Sequence, residues 1–308
     1  MKPKIFIDGR EGTTGLQIHE RLGARDDIAL LLIDDDKRKD VSERKRLINA
    51  ADLVILALPD DAAREAVALL ENDTTRVIDA STAHRVAPGW AYGFAELSAK
   101  QREDIAAARF VANPGCHATG FLAIVYPLVA LGLIARDCAG LTCFSLTGYS
   151  GGGKKQIQAY EREKTEELGA PGLYGLTQAH KHLSEMTEIA GLTRAPVFCP
   201  VIDDYYKGMA VTVMLPGALL GGTKPELLRE AYADWYGGAR FVAVAPELGS
   251  GTLYSNWGAG TNNLELTVSG SREAKTVTAR FDNLGKGASG AAVQNVNLML
   301  GFDEGAGL

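Results

Sequence analysis

The chain opens with a strand, a glycine-rich turn and a helix in immediate succession, a start that few folds accept. Ile5-Phe6-Ile7 is a short apolar run. Asp8-Gly9-Arg10-Glu11-Gly12-Thr13-Thr14-Gly15 follows, then a segment with helical spacing of Leu16, Ile18 and Leu22. Glycines let a backbone come close to a pyrophosphate, and a helix N-terminus turns unpaired N–H groups toward it. The spacing is G-x-x-G-x-x-G rather than G-x-G-x-x-G, and a glycine turn by itself also serves as a plain tight turn. Between a strand and a helix it points to a nucleotide. Gly9, Arg10, Gly12, Thr13, Thr14 and Gly15 are the candidate contacts.

The alternation continues. Strands are predicted at 28–33, 52–58 and 76–80, and a helix at 64–70. This pattern belongs to a parallel, doubly wound sheet. Ligands sit at the carboxyl ends of such strands. The turn at 9–15, Leu58-Pro59 and Ala80-Ser81-Thr82 are such ends, so they should rim one cofactor cleft, with Ser81 among its contacts. The second strand runs into Asp34-Asp35-Asp36 and then Lys37-Arg38-Lys39. An acidic residue there binds the ribose of NAD, and a basic one accommodates the 2′-phosphate of NADP. Both are present, so the local charge leaves the choice open. A solvated loop accounts for any single member of the cluster equally well.

Asn113-Pro114-Gly115-Cys116-His117 lies between the apolar Phe110-Val111-Ala112 and a long apolar run at 121–133 that reads as a buried helix. Pro114 and Gly115 force a turn and leave the thiol at the first turn of that helix. Unpaired N–H groups and the positive end of the dipole favour thiolate there. The common alternative is a cysteine chosen for packing.

From residue 141 the pattern changes to runs at 141–146, 197–201, 209–215, 264–269 and 276–281, with a helix at 225–236. These suit a sheet with one face covered by helices. The expected architecture is α/β: a Rossmann-like doubly wound parallel sheet with a second α+β catalytic and dimerisation domain. The first domain should span 1–116, completed by the C-terminal helix at 287–308, and the second 117–286. Thr147-Gly148-Tyr149-Ser150-Gly151-Gly152-Gly153-Lys154-Lys155 reads as a flexible loop with anion-binding character. In His180-Lys181-His182-Leu183-Ser184-Glu185 a helix would place His182 and Glu185 on one face. A carboxylate on one imidazole nitrogen fixes the tautomer and leaves the other nitrogen for proton transfer. A glycine-rich stretch at 285–290 leads into the last apolar helix, which should pack back on the first domain and leave 287–295 near the cofactor.

Composition narrows the partners. The net charge is −6 over 308 residues, and no basic tract argues for nucleic acid or a membrane surface. The N-terminus starts a strand rather than a signal peptide. The longest apolar run is broken by Pro127 and too short for a bilayer. Cys116, Cys138, Cys143 and Cys199 have no C-x-x-C pair and no zinc spacing. A soluble, cytoplasmic protein with free thiols and no metal is expected.

Taken together these motifs resemble N-acetyl-γ-glutamyl-phosphate reductase in the shorter of its two sequence types. The likeness runs along the whole chain. It includes the turn at 9–15, Asp79-Ala80-Ser81-Thr82-Ala83-His84-Arg85, Asn113-Pro114-Gly115-Cys116, the loop at 148–154 and His180-Lys181-His182-x-x-Glu185. It ends in Lys286-Gly287-Ala288-Ser289-Gly290 and Gln294-Asn295. The resemblance implies NADPH-dependent reduction of an acyl phosphate through a cysteine thioester, within arginine biosynthesis. It implies Cys116 as nucleophile, His182 as acid–base and Glu185 as its orienting group. Gly151 and Asn295 join the cofactor contacts, and His180, Arg85, Lys154 and Lys207 are candidates for the anionic substrate. A homo-oligomer, dimer or tetramer, is expected. Two residues depart from the pattern: His84 replaces an aromatic, and His117 stands where tyrosine is common. His117 is a tempting base, but neighbours on a helix point about 100° apart. Aspartate-semialdehyde dehydrogenase shares the architecture, yet its nucleophile follows asparagine directly, whereas Pro-Gly intervenes here. A cysteine acyltransferase or hydrolase would use Cys116 and His182 without a nucleotide, and the glycine turn argues against it.

Overall fold

The computed structural model describes residues 1–247 and 251–308. Two compact units form, Met1–Pro114 with Ala288–Leu308, and Gly115–Gly287. Cys116 therefore belongs to the second unit.

The first unit contains β1 (Lys4–Asp8), α1 (Thr13–Gly23), β2 (Ala29–Leu31), α2 (Val41–Ala50), β3 (Leu53–Leu56), α3 (Asp60–Ala68), β4 (Arg76–Asp79), β5 (Ala91–Tyr92), α4 (Ala99–Ala107) and β6 (Phe110–Ala112). The end of the chain returns to it as α9 (Gly290–Leu300). The six strands are all parallel, in the order β2-β1-β3-β4-β6-β5. The chain leaves β1 for β2 on one side and returns to β3 on the other, so a switch point opens between β1 and β3. Asp8 is paired with Leu56, and Leu56 with Asp79. The three turns after these strands therefore stand side by side, as their spacing predicts.

Both faces of this sheet are covered. Ile5, Ile7, Leu53, Ile55 and Ile78 pack with Ile18 and Leu22 of α1, Ile105 of α4 and Val293 and Val296 of α9. Phe6, Val54 and Val77 face the other way, onto Leu47 and Ile48 of α2 and Ala63 and Ala66 of α3. Strands buried on both sides are apolar throughout, which is why their runs are continuous in the chain. Ser289 donates to Gln17 Oε1 at 2.9 Å and ties the start of α9 to α1.

Three details differ from expectation. β2 is shorter than 28–33, because the acidic cluster beyond it turns into a short 3-10 segment at Asp35–Lys37. α3 begins at Asp60 rather than Arg64, with Asp60 and Asp61 in the first turn, where the dipole favours acids. α2 was not evident from the pattern: of its ten residues only Leu47 and Ile48 are buried. Its start is set by Asp40, which accepts from Ser42 N–H at 2.8 Å and Glu43 N–H at 3.1 Å.

The second unit contains α5 (Cys116–Ala130), β7 (Thr142–Gly148), α6 (Gly153–Arg162), β8 (Gly172–Leu173), α7 (Leu183–Glu188), β9 (Val197–Asp203), β10 (Met209–Pro216), α8 (Pro225–Trp235), β11 (Val242–Val244), β12 (Leu264–Gly270) and β13 (Ala274–Phe281). Its seven strands run β11-β12-β13-β10-β7-β9-β8. β11–β12 and β7–β9 pair parallel and the rest antiparallel. Helix α5 is buried almost all round and packs on β10 and β13. A Cβ on Gly120 would stand 2.4 Å from Val211 Cγ2, so the helix reaches the sheet only with glycine there.

Pro127 lies inside α5 and has no N–H for the carbonyl of Ala123. Tyr236 supplies the missing donor at 2.7 Å, and Tyr232 of α8 does the same for Ile124 at 2.7 Å. Two phenols thus satisfy backbone groups that a proline disturbs in a dry interior.

Candidate active site

In the first unit, Gly9 takes φ +92°, and a Cβ on it would meet Ala57 O at 2.4 Å. A Cβ on Gly15 would meet Gly9 O at 2.4 Å. Gly12 caps α1 without a side-chain bond, and no acidic residue sits in the first turn. Thr13 Oγ1 is buried there and has no hydrogen-bond partner. A glycine-lined turn, open N–H groups and an unsatisfied buried hydroxyl are a chemical fit for a nucleotide pyrophosphate. Thr14 follows in the same first turn. Arg10 lies beside this turn, 2.7 Å from Asp35, while Arg38 reaches Glu11 at 3.0 Å.

Ser81 gives its hydroxyl proton to buried Asp79 at 2.8 Å and its N–H to the other oxygen at 2.8 Å. His84 Nδ1 reaches the same carboxylate at 2.6 Å, and its ring stacks on Trp90 at 4.1 Å. His84 therefore combines an aromatic stack with a polar anchor. Arg85 is buried and donates to the carbonyls of Asn113 at 3.0 Å and Ala80 at 3.2 Å. Asn295 is buried in α9 and donates to Gly93 O at 2.9 Å and Asn113 Oδ1 at 3.1 Å. Both residues brace the loop around Asn113. Their contact with any ligand is not needed to explain their placement.

In the second unit, Cys116 is the first residue of α5 and is partly exposed. Gly115 precedes it as N-cap, again without a side-chain cap. Its N–H is buried and donates to Glu185 Oε2 at 2.9 Å. Glu185 is itself 1% exposed. Sequence spacing assigns Glu185 to His182 alone; the structure gives one of its oxygens to the backbone that carries the thiol. A Cβ on Gly287 would come within 2.9 Å of Cys116 Cβ, so glycine is required behind Cys116.

Helix α7 starts at Leu183, so the helix expected over 180–186 is shorter, and His182 is its N-cap. His182 is buried, with its ring 4.7 Å from that of His180 and 5.5 Å from that of His117. His180 Nδ1 accepts from the His182 N–H at 3.2 Å. His117 has both ring nitrogens engaged, Nδ1 with Ser145 Oγ at 2.7 Å and Nε2 with Tyr174 OH at 2.6 Å. Burial, with help from His180, holds its pKa down to about 3, so the ring is neutral at ordinary pH.

The segment after β7 is not the flexible loop its glycines suggest. Residues Tyr149–Gly152 form a 3-10 turn that passes directly into α6. Asn283 clamps it, donating to Ser150 Oγ at 3.0 Å and accepting from Gly208 N–H at 2.8 Å. A Cβ on Gly148 would meet Tyr205 O at 2.6 Å. Gly151 and Lys154 are exposed in this second unit. Lys207 is half-exposed, 3.7 Å from buried Asp282.

Two family models cover most of the chain. The semialdehyde dehydrogenase NAD binding domain matches residues 9–108, and the semialdehyde dehydrogenase dimerisation domain matches 116–283. An N-acetyl-gamma-glutamyl-phosphate reductase 2 of Nostoc sp. is 49% identical over 100% of this chain and 99% of its own length. A namesake from Pseudomonas putida is 47% identical over 97% of each chain. The chain belongs to the N-acetyl-gamma-glutamyl-phosphate reductase family. Its first unit is thus a nicotinamide-nucleotide domain of the semialdehyde dehydrogenase type. Aspartate semialdehyde dehydrogenase II from Vibrio cholerae has the same fold, with a TM-score of 0.73 over 97% of this chain and 99% of its own at 14% identity.

The motifs of this reductase family lead to Cys116, His182 and Glu185 but not to Ser145 or Tyr174. Ser145 lies 28 residues from His117 and Tyr174 lies 57 away. Neither stands in a motif. The one available signal was the departure at His117 itself, a polar ring in an apolar helix that must find partners when buried.

Proposed function

We propose that this chain reduces N-acetyl-glutamyl 5-phosphate to N-acetyl-glutamate 5-semialdehyde and phosphate with NADPH, in arginine biosynthesis, through a thioester on Cys116. The observation that carries this is a partly exposed thiol at the first residue of α5, within a chain that matches reductases of that name from end to end. His182 takes the thiol proton. The Cys116 sulfur attacks the acyl carbon, the C–O bond to phosphate breaks, and His182 returns the proton to the departing phosphate. NADPH, when bound, supplies the hydride that reduces the thioester carbon. The C–S bond then breaks, the aldehyde leaves, and the thiolate is restored. Glu185 steadies the imidazolium of His182 by its charge and holds Gly115 through Oε2. His180, Lys154 and Lys207 serve the anionic substrate.

NADP rather than NAD is the reading supported by Arg10, in the turn after β1, and Arg38, beyond β2. Arg10 and Arg38 flank the glycine turn, where a 2′-phosphate is accommodated by arginine. Gly9, Gly12, Thr13, Thr14 and Gly15 cradle the pyrophosphate, with Ser81 and Asn295 as further contacts. The outer face of the second sheet suits a homodimer, or a tetramer built from dimers. It exposes Val197 and Met214, with Phe144 and Leu146 half-buried beside them. Among the described residues no helix is long and apolar enough to cross a membrane. Four free cysteines suit the cytoplasm.

The test is the reverse assay, phosphate-dependent NADP reduction with N-acetylglutamate semialdehyde beside aspartate semialdehyde. Turnover of the acetylated substrate alone is expected. Preference for aspartate semialdehyde would move the chain to the relative that shares its fold.

A further inference from the structure

The residue that follows β13 joins two parts of the second unit, a turn that carries a cation and the backing of Cys116. Asp282 is 1% exposed. Its Oδ1 accepts the Leu284 N–H at 2.8 Å, and its Oδ2 accepts the Gly260 N–H at 2.6 Å. Lys207 Nζ stands 3.7 Å from the same Oδ2. The Asp282 carbonyl accepts the Gly287 N–H at 3.0 Å. A Cβ on Gly287 would lie 2.9 Å from Cys116 Cβ, so the turn that Asp282 closes is the one packed behind the thiol. One buried residue thus holds the backing of Cys116 with its main chain and faces a cation with its side chain.

The residue type follows from this geometry. Two N–H groups and an ammonium converge on the side chain, so both of its oxygens must accept. A carboxylate does this, whereas asparagine would turn an NH₂ toward one of the donors. A buried carboxylate without a counter-charge would repel an anionic substrate, and half-exposed Lys207 supplies that charge. At 3.7 Å the two attract but form no hydrogen bond, so the ammonium spends none of its N–H groups on Asp282. The main chain around Lys207 is fixed as well. Asn283 Oδ1 accepts the Gly208 N–H at 2.8 Å. Gly208 takes φ +116°, and a Cβ on it would stand 2.6 Å from Ser255 O. The carbonyls of Gly208 and Tyr206 accept from Gly148 N–H and Ser150 N–H, each at 3.0 Å.

We propose that Asp282 is a positioning residue for the reduction of the acyl phosphate. It holds the Lys207 ammonium by charge, in a place tied to the backing of Cys116, and leaves its N–H groups for an anionic group of the substrate. The proposal rests on the function proposed above, in which Lys207 serves that substrate. The anion is the phosphate that leaves or the carboxylate that stays. In the reverse reaction these arrive on separate molecules, inorganic phosphate and the semialdehyde, so the two are told apart by measurement.

The test is a double-mutant cycle on the full-length protein in the reverse reaction. KM for inorganic phosphate, KM for N-acetylglutamate semialdehyde and kcat are read separately. Lys207→Met is expected to raise one of the two KM values by about tenfold, and the one that moves names the anion. Asp282→Asn should raise the same KM by a similar factor in the parent. In the Lys207→Met background it should add less than about twofold, because it acts through the ammonium. A residue that serves folding alone costs as much in both backgrounds. Equal cost in both overturns the proposal, as does Lys207→Met with both KM values unchanged. Asp282→Asn turns an amide toward a backbone donor and can fail to fold, so Lys207→Arg gives a second measurement. Arginine keeps the charge, but its longer planar fork reaches the carboxylate and spends donors on it. The same KM should rise by at least about threefold. A parental value would show that charge suffices without placement, and would overturn the proposal. Failure of the function reading is seen apart, as a parent that prefers aspartate semialdehyde, and the cycle is then read with that semialdehyde and phosphate.

Discussion

Helix α1 opens on Gly12 and helix α5 on Gly115, and neither glycine offers a side chain to its first turn. Neither first turn holds an acidic residue. What surrounds the two starts differs. At α1 the buried hydroxyl of Thr13 has no partner, and the turn before the helix is pared to glycine at Gly9 and Gly15. At α5 the N-cap N–H is taken by Glu185, and the first helical residue is a cysteine backed by Gly287. One helix start is open, which suits the nucleotide anion proposed above. The other has its N-cap N–H held by a protein carboxylate, beside the cysteine proposed as nucleophile.

The contrast breaks most sharply at the sulfur. Cys116→Ser should abolish turnover and leave NADP binding intact, as followed by turnover assay and nucleotide fluorescence titration. Retained activity would remove α5 from the comparison. His182→Asn is expected to cost roughly 10²–10⁴ in kcat, the usual range for a general acid–base. If His180→Asn is far worse, the two imidazoles exchange roles. Gly15→Ala should do the converse of Cys116→Ser. Its Cβ would sit 2.4 Å from Gly9 O, so the turn must shift. NADP binding should weaken by at least about tenfold while Cys116 alkylation stays unchanged. Unchanged nucleotide affinity would mean that the α1 turn is structural only.

The smallest effect concerns stability rather than rate. In the unfolded chain His117 is protonated below about 6.5, and in the folded protein it stays neutral down to about 3. Between those values the unfolded state binds more protons, so stability falls as pH falls. From pH 7 to pH 5 this group should cost about 2 kcal/mol. Urea midpoints at the two pH values are expected to lie closer together in His117→Gln than in the parent. Equal spacing would show that acid sensitivity arises elsewhere.

The parts of the molecule legible in the chain are those whose chemistry lies in neighbouring residues. Strand, glycine turn and helix at 5–22 are contiguous, and so is the turn that sets Cys116 at a helix start. His182 and Glu185 are three apart. Helix α2 was hidden because its charged sequence buries only two side chains, and its cap is a single aspartate. The flexibility expected of 147–155 was wrong because Asn283, far along the chain, supplies the bonds that order it.

Backbone conformation and helix-end polarity are local properties, so sequence alone determined that a glycine turn would open α1 and that Cys116 would stand at the start of α5. Which polar groups meet in the interior depends on strand register and helix placement, which no local pattern encodes. Tertiary structure therefore decided that Glu185 holds Gly115, that Tyr236 satisfies the carbonyl freed by Pro127, and that Ser145 and Tyr174 close on His117 from opposite sides. Each of these groups is polar and buried, and once water is excluded each must find its partner within the fold.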